Sequence, residues 1–119
     1  MLGEHYINGV KLPAITIIAP EKLLGYLLIP RPADDKSKFL AAAGYTRENW
    51  QVLERDLRQQ ILLLAATEVE QTKHGTVYEI RGNLRGPNGV SLSVTTIWMT
   101  ELATGQTKFI TLFPAKEKP

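Results

Sequence analysis

The chain has 119 residues, a formal net charge of +2, 44% hydrophobic and 22% charged residues, and no cysteine. That is one domain's length of ordinary globular composition, enough to hold a core without covalent staples. Lack of cysteine excludes a disulfide framework, a thiolate nucleophile and a cysteine-based zinc site, while the small charge permits nucleic-acid binding without indicating it.

Residues 1–19 form an N-terminal segment that begins polar and turns apolar at Ile15-Thr16-Ile17-Ile18, a strand-capable run that Pro13 confines to a sheet edge or to irregular structure. Pro20 suits the first turn of a short helix, Glu21 to Leu28, with Leu23, Leu24, Leu27 and Leu28 on its apolar face; Ile29-Pro30-Arg31-Pro32 ends it. Asp34 or Asp35 caps a second helix, Ser37 to Ala43, which stops at Gly44. Thr46 caps a third, on which Trp50, Leu53, Leu57, Ile61 and Leu64 share one face. At roughly twenty residues it is about 30 Å long, the natural cover for a sheet.

Thr67 to Lys73 is β-capable, and His74-Gly75 reads as a tight turn into the next run. From Thr76 to Pro114, the turn signals Gly86-Pro87-Asn88-Gly89 and Thr104-Gly105 separate three runs rich in β-branched and aromatic residues. In the middle run Val90, Leu92, Val94 and Trp98 fall on one face and Ser91, Ser93 and Thr95 on the other, so one side is buried and the other meets water or a ligand. In the last run Phe109 and Phe113 share a face with Thr107 and Thr111, against Ile110 and Leu112. The expected fold is α+β: N-terminal helices packed on a four-stranded antiparallel meander in the C-terminal half. The whole chain, residues 1–119, is expected to be a single domain with a charged tail over 114–119.

Motifs for a cofactor or a metal are lacking: the glycines do not form a phosphate loop, and His5 and His74 are far apart. His74 is a general-base candidate because imidazole exchanges protons near neutral pH, although a lone histidine beside a turn is also an ordinary solvated residue. Arg81 falls with Glu79 and Asn83 on the polar face of its strand, near Ser91, Ser93 and Thr95. A planar guanidinium beside hydroxyls suits a phosphodiester; the alternative is a solvated ion pair with Glu79 or Glu68. Trp98 either stacks on a base or anchors the core. Lys36 and Lys38 flank Ser37 at a helix start that would accept a phosphate, or they simply keep a loop soluble.

Glu21-Lys22-Leu23, Tyr26-Leu27-Leu28, Lys36-Ser37-Lys38-Phe39, Ala43-Gly44-Tyr45-Thr46, Asn49-Trp50, Gly86-Pro87-Asn88-Gly89, Thr96-Ile97-Trp98 and Phe109 to Pro114 together resemble an uncharacterised family of small bacterial domains. Members look like stand-alone proteins or the tips of polymorphic toxins, and their layout is similar to the barnase, EndoU, colicin and RelE group of ribonuclease folds. The resemblance implies an RNA-cleaving or RNA-binding domain of a toxin–antitoxin or polymorphic toxin system, with RNA and an antitoxin or immunity protein as partners. It implies Arg81, Thr111, Lys38 and His74 as catalytic residues and Thr95, Lys36 and Trp98 as substrate-binding residues. The alternative is a non-catalytic protein-binding or assembly module that docks a partner on the sheet edge or on the Phe109/Phe113 face. Met1 to His5 shows no basic region leading into an apolar stretch. The runs Ala14–Ala19 and Ile61–Ala66 are too short to cross a bilayer. A cytoplasmic protein with no membrane partner and no cofactor is therefore expected.

Overall fold

Alternation in the C-terminal half folds into the expected antiparallel meander. A computed structural model describes residues 9–33 and 35–115; His5, the Asp34 alternative for the cap and the end of the tail lie outside the described residues. The strands are β1 (Thr67–Thr72), β2 (Gly75–Arg85), β3 (Ser91–Glu101) and β4 (Thr107–Pro114), in the spatial order β1-β2-β3-β4. With the helices ahead of them the fold is α+β. Ile80, Leu84, Leu92, Val94 and Trp98 form the buried inner face, and Ser91 and Ser93 stay exposed on the outer one. Thr96 is an inner-face hydroxyl fully satisfied in the core: it donates to the Ile80 carbonyl at 2.8 Å and accepts from the Trp98 indole at 2.7 Å.

β4 departs from simple alternation. Its register against β3 shifts between Trp98↔Phe109 and Ile97↔Thr111, a β-bulge that absorbs one extra residue of β4. Thr107, Phe109 and Leu112 are buried inside, whereas Thr111 and Phe113 pair with the outer-face residues Ile97 and Thr95. Phe109 and Phe113 therefore lie on opposite faces, because the inserted residue inverts the parity of everything after it.

Ile15 to Ile18 contributes only one bridge rather than a strand: Ile17 donates to the Thr107 carbonyl and accepts from the Phe109 amide, each at 2.8 Å, so the chain runs beside β4. Helix α1 (Pro20–Lys22) continues as a π turn, Leu23–Leu27, and buries Leu23, Leu27 and Leu28 while Leu24 remains half exposed. Helix α2 (Ser37–Ala41) has Lys36 at its N-cap, and the carboxylate of Asp35 just before it accepts from the Ser37 amide at 2.8 Å. It ends with Tyr45 N donating to Leu40 O and Gly44 N to Ala41 O, with Gly44 at φ +95°.

Thr46 and Asn49 form a reciprocal capping box over a 3₁₀ turn, Arg47–Asn49, that leads into α3 (Trp50–Asp56) and a π turn, Leu57–Ile61. The π turn, with Leu62 N bonded to Leu57 O, adds a residue to the helical repeat. The buried side chain after Ile61 is consequently Leu62, and Leu64, expected on the inner face, is 40% exposed. The helix stops at Ile61, short of the expected length.

Two polar links tie α3 and its π turn to the end of β2. The Gln60 side-chain amide bonds both the N–H and the carbonyl of Arg85, at 2.7 and 3.0 Å, as a neighbouring strand would. The Tyr45 hydroxyl makes the other link: it donates to the buried Asp56 carboxylate at 2.8 Å and lies 3.1 Å from the Arg85 carbonyl, and Asp56 is also paired with Arg55 at 3.2 Å. Burial first, then the hydrogen bond to Asp56 and its negative charge, push the Tyr45 phenol far above its ordinary value of 10.0. Folding therefore holds a proton that the unfolded chain releases at high pH. The contribution is complete below pH 10 and declines as pH rises beyond it, at about 1.4 kcal/mol per pH unit. Urea unfolding above pH 10 should approach this slope, and Tyr45→Phe should be shallower by that amount; equal slopes would exclude it.

Candidate functional site

Ile61 packs over Gly82 on the inner face of the sheet, while Arg81, Asn83, Ser91 and Ser93 on the outer face are exposed, so chemistry on the sheet would use the outer one. Register places Arg81 directly opposite Thr95, with Phe113 beyond it, and places Glu79, Ile97 and Thr111 in the adjoining row. Arg81 pairs with Glu79 two residues back on its own strand at 2.9 Å, leaving the arginine side chain 61% exposed. The expected Arg81–hydroxyl face is thus present, with the arginine held by a solvated ion pair. Thr95, flanked on both sides, is buried.

A second group of side chains gathers at Thr111, on the β4 side of this face. The bridge at Ile17 leads the chain past β4 into α1, and the prolines after Ile29 turn it back so that the segment before α2 returns to the same edge. Lys36 Nζ lies 3.0 Å from the Tyr26 hydroxyl and 3.5 Å from Thr111 Oγ1. The Arg31 guanidinium stacks over the Tyr26 ring at 4.6 Å from its centroid, and Lys36 Nζ lies 5.1 Å from the same centroid. Two cations, a phenol and an aliphatic hydroxyl thus converge. Among the described residues, no carboxylate pairs with Lys36 or Arg31.

The electrostatics follow from that geometry. The hydrogen bond from Lys36 lowers the Tyr26 phenol below its ordinary value against a smaller opposing effect of burial; the Lys36 charge, the Thr111 hydroxyl and Arg31 add to the lowering. An ammonium can only donate, so Lys36 occupies a lone pair of the phenol oxygen and leaves the phenol's own hydrogen to be donated elsewhere. The arrangement can bind an anion between two cations and offer it a proton.

Of the residues expected from sequence, Lys36 and Thr111 come together here, Thr95 lies on the adjoining strand, and Arg81 shares the face about 10 Å away across two strand spacings. The others lie apart. Lys38 points into a shallow cavity of about 280 Å³ with Tyr45, Arg47 and Glu48. His74 sits exposed in the β1–β2 turn, where its carbonyl accepts from Leu102 N at 2.9 Å, at the hairpin end near Glu101. Trp98 is fully buried, edge-on to Phe109 with ring centroids 5.1 Å apart. Tyr26 and Arg31 were not singled out from the sequence. Tyr26 is embedded in a leucine-rich helix and Arg31 in a Pro-x-Pro break, and the one available signal was a lone aromatic hydroxyl on the flank of that apolar run.

A family model described as Domain of unknown function (DUF6883) matches residues 11–116. No curated protein and no solved structure matches the chain. The match includes Tyr26, Arg31, Lys36 and Thr111, so the cluster lies within the family's domain. Among the described residues, no helix is long and apolar enough to cross a membrane.

Proposed function

The chain belongs to the family described as Domain of unknown function (DUF6883), and we propose that it is an RNA-cleaving, toxin-like domain whose site is the Tyr26, Arg31, Lys36 and Thr111 cluster. The observation that supports this is the convergence of two cations, which no carboxylate pairs among the described residues, and two hydroxyls at the β4 edge of the outer sheet face. Arg31 and Lys36 hold the phosphodiester and offset the charge that gathers on it. The ribose 2′-hydroxyl attacks the neighbouring phosphorus and loses its proton to water. Tyr26 donates its proton to the departing 5′-oxygen, and the phenolate left behind is stabilised by Lys36 until solvent reprotonates it. The products are a 2′,3′-cyclic phosphate and a free 5′-hydroxyl. Thr111 positions a non-bridging oxygen, and Arg81 guides the strand across the face. An antitoxin or immunity protein would act by covering this edge, and the reaction would be carried out in the cytoplasm.

Induced expression in a bacterial host, beside the Lys36→Ala/Thr111→Ala double variant, tests the reading through growth and total RNA integrity. Growth arrest with RNA loss in the first and not in the second is the expected result; intact RNA in both would overturn it. In vitro, affinity for single-stranded RNA should fall with salt, and Lys36→Ala should lower the slope of log K against log salt by about 0.7.

A second reading, a non-catalytic docking module, is favoured by Ile15 and Leu102, which are 87% and 77% exposed. Ile15 lines a small cavity with Gly105 and Gln106, in the same β3–β4 turn region as Leu102. Binding through these residues would be insensitive to salt and to Lys36→Ala, which separates the two readings.

A further inference from the structure

The bulge in β4 does more than place Thr111. It also turns Phe113 to the outer face, two residues further along the same strand and about 7 Å away. Tyr26, Phe39, Trp50, Val52 and Tyr78 are the half-buried side chains that pack against the core; Phe113, also half-buried, is not one of them. It stands beside Thr95, in the row that ends at Arg81. An aromatic ring kept on the solvent side by an inserted residue, next to a cationic cluster, is an arrangement that core packing does not require.

We infer that Phe113 is a base-stacking platform and that the site takes single-stranded RNA, with a phosphate at Lys36 and Arg31 and the attached base on the Phe113 ring. This rests on the phosphate-binding reading of the cluster and adds the strandedness of the substrate to it. The separation between Thr111 and Phe113 is one that a single nucleotide spans between its phosphate and its base. A base inside a duplex is stacked on both sides and has no face to offer, so paired RNA could meet only the cations. Stacking on an aromatic ring accepts any base, so no strong sequence preference is expected.

The test is fluorescence anisotropy at fixed low salt with three labelled probes whose 2′-oxygens are methylated to prevent cleavage: a single-stranded RNA, its duplex, and a ribose-phosphate oligomer of equal length without bases. Wild type should bind the single strand about tenfold more tightly than the other two. Phe113→Leu should bring the single strand down to the level of the baseless oligomer without altering affinity for the latter. Phe113→Tyr, which keeps a ring of the same size, should retain the preference, and this separates stacking from a folding defect. Lys36→Ala should weaken all three probes together. If Phe113→Leu, folded by circular dichroism, binds single-stranded RNA as wild type does while Lys36→Ala weakens it, stacking is rejected and the phosphate-binding reading survives. If folded wild type binds none of the probes, both are overturned.

Discussion

Lys36→Ala is expected to slow RNA cleavage by about 10²–10³-fold in kcat, the usual effect of removing one preorganised donor from a developing oxyanion. Lys36 has two roles in the proposed reaction: it faces the phosphate, and it donates to the phenol oxygen of Tyr26 at 3.0 Å. Tyr26→Phe should lose a comparable amount, about 10²–10⁴-fold, by removing the acid while keeping the ring under Arg31. Because both variants damage one linked unit, the double variant should fall little further than the worse single one. The pH profile distinguishes an acid from a mere hydrogen-bond partner. Tyr26 acts protonated, so wild-type activity should decline as pH rises through its lowered phenol value. Lys36→Ala removes the first cause of that lowering and should move the alkaline limb to higher pH; Tyr26→Phe should abolish the limb. Residual activity in Lys36→Ala with an unmoved alkaline limb would remove Tyr26 from the acid role. The folding contribution of the same phenol has a defined sign: its depressed value adds stability present above the ordinary tyrosine range and lost as pH falls through the folded value. This is opposite to the high-pH loss expected from Tyr45.

The parts of this molecule that could be read from the sequence were those governed by local periodicity and turn chemistry. Val94 and Trp98 alternate with Ser93 and Thr95, and the sheet follows that alternation across all of β3. The positions that were not legible are those where one residue is inserted into a repeat. The π turn over Leu57–Ile61 replaced Leu64 by Leu62 in the core, and both are leucine, so no pattern could distinguish them. The bulge in β4 falls in Phe109-Ile110-Thr111-Leu112-Phe113, which is apolar in either register, so its parity was undetermined until the inner face had to accommodate both Phe109 and Leu112. The candidate site was half visible for a related reason. Lys36 and Thr111 were each recognised for their chemistry, but 75 positions separate them, and only the course of the chain along β4 joins them. Arg31 looked like part of a helix-breaking segment, and its stacking on Tyr26 is a tertiary fact.

Trp98→Ala should cost about 3–5 kcal/mol, a large share of the roughly 5–15 kcal/mol that holds a domain of this kind together. Trp98 is fully buried and edge-on to Phe109, so deletion of the indole leaves a cavity that two adjoining strands cannot close without breaking their ladder. It also removes the donor that Thr96 accepts from at 2.7 Å. The melting temperature should fall on the order of 10–20 °C. Trp98→Phe, which retains most of the ring and loses only the indole N–H and some volume, should fall much less. A Trp98→Ala midpoint within about 5 °C of wild type would show that the site collapses easily and that the cavity argument is wrong. The substitution also reports on function without touching a ligand. The register shift of β4 lies between Trp98↔Phe109 and Ile97↔Thr111, so the indole is adjacent to the bulge that turns Thr111 and Phe113 outward. Loosening it should reduce RNA affinity even at temperatures where Trp98→Ala is folded. Trp98→Phe, with its ring still against Phe109, should keep that affinity, whereas a base stacked directly on the indole would require surface that Trp98 does not have.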